Sequence, residues 1–181
     1  AATKAEGASL ILEDDAAIAP ASWPAIRAAA EKLGDGPWIA KVYSRPSRPF
    51  RRWASLPDGH WLARPAKPGT GAVAYLVTPA AARALLAHSE PFWCAVDDFM
   101  NLEWAHGVRI LHCEPSLAEH EDNGHSRIGD RLKPSAGLGA VVVREAFRFW
   151  LGLRQRLSYE RTLWALGLRF RRVENPPGPG R

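Results

Sequence analysis

Leu10-Ile11-Leu12-Glu13-Asp14-Asp15, followed by Ala16, Ala17 and Ile18, is the stretch on which the architecture turns. A short apolar run ends in three consecutive carboxylates. Carboxylates are rarely interior without a partner. The run therefore reads as a buried strand that delivers its acids to a cleft at its C-terminal edge. Strand side chains alternate faces, which would set Glu13 and Asp15 on one side and Asp14 on the other. Two acids on one side can hold a hard divalent cation through oxygen, and that cation can hold a diphosphate. The same residues also read as a strand running into an acidic, solvated turn. Taken by itself the stretch leaves both readings open.

The surrounding chain alternates strand and helix patterns, which predicts an α/β domain. Residues 9–12 form the first strand. Residues 20–33 read as a helix, with Ser22 as candidate N-cap, Pro24 in the first turn and Gly34 past the end. Residues 38–43 alternate as a second strand. From 44 to 69 the chain carries Pro46, Pro49, Pro57, Pro65 and Pro68, and it reads as a long loop or a hairpin. Residues 72–77 give a third strand, and Thr78-Pro79 is a strong start signal for a helix running to about His88. Residues 97–106 predict another helix ended by Gly107, residues 108–111 a short strand, and residues 115–139 a polar loop. No internal repeat is visible.

Composition bounds the class. A chain of 181 residues, 46% apolar, can bury one sizeable core. Eight tryptophans and a mean hydropathy of -0.23 exclude a globally disordered chain. No stretch approaches the roughly 20 apolar residues of a membrane span, and the first residues carry no secretory h-region. Cys94 and Cys113 match no paired metal pattern; they could form a disulfide, but are expected to stay reduced in a cytosol. Charge is uneven. Nine arginines face three glutamates over residues 144–181, a surplus of six that exceeds the whole chain's +5 and leaves the preceding 143 residues at −1. Within this basic segment Phe147, Trp150, Leu151, Tyr159, Leu163, Leu166 and Phe170 recur at helical spacing. The predicted organisation is a domain over 1–139, a basic amphipathic helical segment over 140–173, and a disordered tail over 174–181.

Three further clusters could carry chemistry. Gly69-Thr70-Gly71 enters the third strand, where small residues admit a ligand close to the backbone; taken by themselves they read first as a plain turn. Asp97 and Asp98 open a predicted helix; either is an N-cap by default, and either could be a general base. His120 and Arg127 lie in the polar loop, where a histidine could complete a metal site and an arginine could pair with phosphate.

In this order, Leu10 to Asp15, the run from Gly69 to Leu86 with its Tyr75-Leu76-Val77-Thr78-Pro79, then Val96-Asp97-Asp98-Phe99-Met100 and Pro115-Ser116-Leu117, resemble glycosyltransferase family 25. That family includes bacterial lipooligosaccharide galactosyltransferases and related collagen galactosyltransferases. The resemblance covers residues 7–131. It implies a GT-A-like mixed sheet flanked by helices, and inverting transfer of a sugar, with galactose expected, from a nucleotide-sugar such as UDP-galactose to a lipooligosaccharide or other surface glycan.

The resemblance further implies that Asp15, with Glu13 or Asp14, binds Mn2+ or Mg2+ and the donor diphosphate. It also implies that His120 is a further metal ligand and that Asp97 is the base with Asp98 as fallback, while Gly69, Thr70, Gly71 and Arg127 are expected from their residue types to contact the donor. The chain starts just before the acidic motif and lacks the family's upstream nucleotide-binding region, so it is expected to be a C-terminal portion of such an enzyme. A truncated, non-catalytic remnant that binds metal or a partner is the competing expectation. Residues 144–172 suit an anionic membrane surface, which predicts a cytoplasmic protein peripheral on the inner face of a bacterial inner membrane. The same residues also suit an ordinary helix pair packed on the body with its arginines solvated. A nucleic-acid-binding module is not expected, because the body is near neutral.

Overall fold

Short runs rich in leucine, alanine and aromatic residues, punctuated by proline and glycine, build a sheet whose strands are four to six residues long. The computed structural model describes residues 7–44, 50–65, 69, 71–91, 94–120, 145–146, 149–150, 152–154 and 156–158. In chain order the elements are β1 (Ser9–Leu12), β2 (Ala16–Ala17), a 3₁₀ turn (Pro20–Ser22), α1 (Trp23–Leu33), β3 (Trp38–Lys41), β4 (Phe50–Ser55), β5 (Trp61–Pro65), β6 (Ala74–Val77), α2 (Pro79–Ala87), α3 (Val96–Met100), α4 (Glu103–His106), β7 (Arg109–Glu114) and β8 (Glu119–His120).

Six strands form one mixed sheet in the order β1-β6-β3-β7-β5-β4, and β2 pairs with β8 in a separate ribbon. β3 and β7 are parallel, while β6 is antiparallel to both β1 and β3. The strands β1, β3 and β7 thus run the same way and end at one edge of the sheet. One face is covered by α1, whose Ala25, Ile26, Ala29 and Leu33 pack with Ala40, Val42, Leu76, Leu111 and Cys113. The other face carries α2 and α3, with Ala81 and Met100 against Ile39, Val108 and Ile110. The result is a mixed α/β architecture with a sheet between helical layers.

Several expectations change. β1 is an edge strand rather than a buried one: only β6 pairs with it, and Ile11 and Leu12 are 41% and 45% exposed. It also ends at Leu12, so Asp14 and Asp15 sit in a turn and strand alternation does not sort the three acids. Ser22 makes no side-chain cap to α1. The predicted helix over 97–106 is two short helices, broken at Leu102, whose ψ of 55° is not helical. Of the two readings of the 44–69 stretch the hairpin holds over β4–β5, closed by a turn at Pro57–Gly59. The predicted loop from 115 includes β8, which pairs back onto β2.

Thr78 caps α2 as expected, its hydroxyl accepting from the Ala81 amide. Both cysteines are free. Thr70, Arg127, the rest of the predicted loop past 120 and the tail over 174–181 lie outside the described residues, as does most of 140–173.

Candidate functional site

The carboxyl ends of parallel strands are where open α/β sheets receive ligands, because the chain leaves the sheet there in loops free to diverge. Here that edge collects most of the acids singled out above. The Glu13 amide donates to the Val73 carbonyl at 2.8 Å, which fixes the acidic turn beside the entry to β6. The ribbon β2–β8 then brings His120 back across the turn, its Nε2 donating to Asp15 Oδ2 at 3.0 Å. Tyr43, just past β3, lies beside the His120 ring with centroids 6.0 Å apart.

From the helical side, α3 presents Asp97. Its Oδ2 accepts the Gly71 amide at 3.0 Å. Gly71 has a φ of 97°, a left-handed conformation that a side chain would strain. Gly69 is small for a different reason, since a Cβ there would come within 3.3 Å of His112 Cε1. The glycines therefore have structural grounds whatever else they do.

The charges interact. The Glu13 carboxyl is held above its ordinary value, first by partial desolvation, then by repulsion from Asp15 and Asp97, with Asp14 adding and His120 opposing. The Tyr75 phenol is pushed up by burial and by Glu13. Glu13, Asp14, Asp15, Asp97, His120 and the two described glycines thus share one edge. Asp98 is exposed on α3, and it acts with Asp97 and, foremost, burial to raise the Cys94 thiol.

Asp15 Oδ1 is buried and has no hydrogen-bond partner. An orphaned carboxylate oxygen beside mutually repelling acids suits a hard divalent cation, for which oxygen is the preferred donor. Among the described residues no group of three or more His, Cys, Asp and Glu is arranged to hold a metal ion. A cation here would take one or two carboxylates from the protein and complete its shell from water and phosphate, as Mg2+ does.

Three polar residues at this edge escaped the sequence reading: Lys41, Tyr75 and Asn101. Lys41 is buried and donates to the Gly69 and Gly71 carbonyls, and Asn101 Nδ2 donates to Gly69 O at 3.2 Å. A lone lysine closing the apolar run Trp38-Ile39-Ala40 was the available signal. Ser116 and Leu117 hold the loops after β3 and β7 together instead of facing a ligand. Ser116 Oγ donates to Ala118 O at 2.7 Å and accepts the Ser44 amide at 3.1 Å, and the Leu117 amide donates to Val42 O at 2.9 Å.

Fold and site together define a mixed α/β domain with an acidic, glycine-bordered edge at the ends of its parallel strands. No family model, no curated protein and no solved structure matches this chain.

Proposed function

We propose that this chain is a metal-dependent, inverting glycosyltransferase of the family 25 type, with a GT-A-like sheet. It moves a sugar, galactose by the resemblance, from a nucleotide-sugar to a surface-glycan acceptor. The observation that carries the reading is the meeting of Glu13, Asp15, Asp97 and His120 at one edge, from segments far apart in the chain. Asp15 and Glu13 would hold Mn2+ or Mg2+, with His120 adjoining; the cation supplies neutralisation of the charge that builds on the departing nucleoside diphosphate.

The chain's own residues do the rest. Asp97 is the base. Its Oδ2 is occupied by the Gly71 amide, which orients the carboxylate and leaves Oδ1 to accept the proton of the attacking acceptor hydroxyl. As that hydroxyl oxygen bonds to the sugar's anomeric carbon, the bond from that carbon to the diphosphate oxygen breaks on the opposite face. Gly69 and Gly71 give the diphosphate access to backbone. Asp98 is the fallback base only if Asp97 proves dispensable.

The C-terminal segment over 144–172 rests on an anionic membrane surface near a lipid-linked acceptor, which makes the protein cytoplasmic and peripheral. Supporting this are its eight arginines against two glutamates and the exposure of Phe149, Leu153 and Leu157 at four-residue spacing. No helix among the described residues is long and apolar enough to cross a membrane.

Transfer from UDP-galactose to a glycan acceptor with Mn2+ is the direct test. Asp15→Ala should abolish it, and retained metal-dependent transfer by that variant overturns the assignment. Titrating UDP with Mn2+ separates enzyme from remnant: metal-dependent binding favours the enzyme, and its absence favours the remnant.

A further inference from the structure

We propose that Lys41 is a positioning residue of this site, the buried cation that holds Gly69 and Gly71 and, through Gly71, the Asp97 carboxylate. The inference rests on reading Asp97 and those glycines as part of the reactive edge. Lys41 is the last residue of β3 and only 3% exposed. A buried ammonium is tolerated where fixed oxygens replace its water. Here those oxygens are backbone carbonyls. Lys41 Nζ donates to Gly69 O and, at 3.0 Å, to Gly71 O.

The same two glycines are gripped from α3. The Gly71 amide donates to Asp97 Oδ2 at 3.0 Å, and Asn101 Nδ2 donates to Gly69 O at 3.2 Å. Asp97 and Asn101 are four residues apart and so project from one side of their helix. Gly69 and Gly71 are therefore bracketed, by the sheet through Lys41 and by α3 and its C-cap through Asp97 and Asn101. Each bond constrains the others, because Gly71 is held by its carbonyl on one side and its amide on the other. The cross-strand partners of Lys41 are Tyr75 and His112, so this corner of the sheet is polar and apolar packing cannot substitute for the clamp. Without the ammonium, the Gly71 carbonyl loses a charged donor and the amide that aims Asp97 is free to swing. Misplacement of a reacting group by about 1 Å can cost on the order of 10²-fold in rate.

The full chain tests this without any sugar transfer. In Lys41→Met, hydrogen exchange at the Gly71 amide should quicken on the order of tenfold, while the sheet amide of Ile39 stays protected. Lys41→Arg keeps the donors and should recover most of the protection. A folded Lys41→Met with unchanged Gly71 exchange overturns the proposal. So does a Lys41→Arg that exchanges as fast as Lys41→Met, which would assign the effect to the lysine stem. Should Lys41→Met not fold, the unsubstituted chain decides: its Lys41 ammonium protons should exchange slowly and correlate with the Gly69 and Gly71 carbonyls by NMR, and rapid exchange overturns the clamp. If these readouts hold but no transfer is found, the glycosyltransferase reading fails while the clamp stands. Where transfer is measured, Lys41→Met should raise the donor KM as well as lower kcat. Loss of folded protein alone lowers kcat with KM unmoved, and that pattern refutes positioning.

Discussion

His106 closes α4 with both ring nitrogens engaged, Nε2 donating to Phe99 O at 3.1 Å and Nδ1 accepting the Val108 amide at 3.0 Å. This arrangement uses the neutral ring, since a proton on Nδ1 would point at a donor. Burial chiefly holds the imidazole below its ordinary 6.5; the Phe99 carbonyl opposes this and His88 adds to it. The folded value lies below the unfolded one. His106 therefore stabilises the fold above about pH 6.5, and that contribution disappears as pH falls through the depressed value. By NMR its ring should titrate below 6.5, and the decline of the urea midpoint toward acid should flatten in His106→Gln. A ring that titrates at or above 6.5 refutes the argument. Glu13 runs the other way. Its raised carboxyl favours the fold below the ordinary 4.5, and that benefit is lost as pH rises through the raised value. At pH 7 the charge is a strain within the acidic cluster. Glu13→Gln should raise stability at pH 7 by no more than roughly 0.5 kcal/mol, because the group is exposed and screened, and should weaken Mn2+ binding by calorimetry. Unchanged Mn2+ affinity would remove Glu13 from the ligand set.

Among the elements, the junction of β5, α4 and β7 shows what local pattern cannot carry. Pairing of β5 with β7 stops at Ala63–His112. Beyond it the Ile110 carbonyl and amide turn to side chains: Arg64 Nη1 donates to Ile110 O, and Glu103 Oε1 accepts the Ile110 amide at 3.0 Å. Arg64 and Glu103 also pair through both carboxylate oxygens, with the arginine side chain wholly buried. Glu103→Ala strands that guanidinium and should cost about 3–5 kcal/mol by denaturant unfolding. The double variant Arg64→Met with Glu103→Leu should lose less than Glu103→Ala alone, and an equal loss would show that the pair is not what matters. The strands β1, β3, β6 and β7 and the Thr78-Pro79 cap were readable because their causes are local. The break at Leu102 was not, because a buried Leu102 and an inward Glu103 are chosen by the sheet beneath them. Nor was the edge position of β1 readable: four residues do not reveal whether a strand has one neighbour or two. The acids of the candidate site could be picked out by type and order. Lys41 and Asn101 could not, since both reach carbonyls of glycines distant in the chain.

For the molecule as a whole, charge divides along the chain, with the arginine surplus confined to residues 144–181. Trp150 meets Trp104 of α4 edge-on with centroids 5.7 Å apart, and Arg154 lies over both rings, at 5.4 Å from the Trp104 centroid and 5.0 Å from that of Trp150. Trp150 and Arg154 thus rest on Trp104 of the body, the first through an edge-on ring contact and the second through a cation–π contact. Phe149, Leu153 and Leu157 share a different side by their four-residue spacing, and all three are exposed. Apolar side chains flanked by arginines suit an anionic lipid surface, where each basic residue near the headgroups contributes about 1 kcal/mol. The full chain should therefore bind vesicles containing anionic lipid and ignore purely zwitterionic ones. Raising salt from about 0.1 M to 1 M shortens the screening length from roughly 10 Å to 3 Å and should weaken that binding on the order of tenfold or more. Leu153→Ser with Leu157→Ser should weaken it at every salt concentration while moving stability by no more than about 0.5 kcal/mol each, as exposed positions do. Trp104→Ala should instead lower stability, because its ring is what the segment packs on. Equal binding to zwitterionic vesicles, or insensitivity to salt, would mean that the arginine surplus serves another partner.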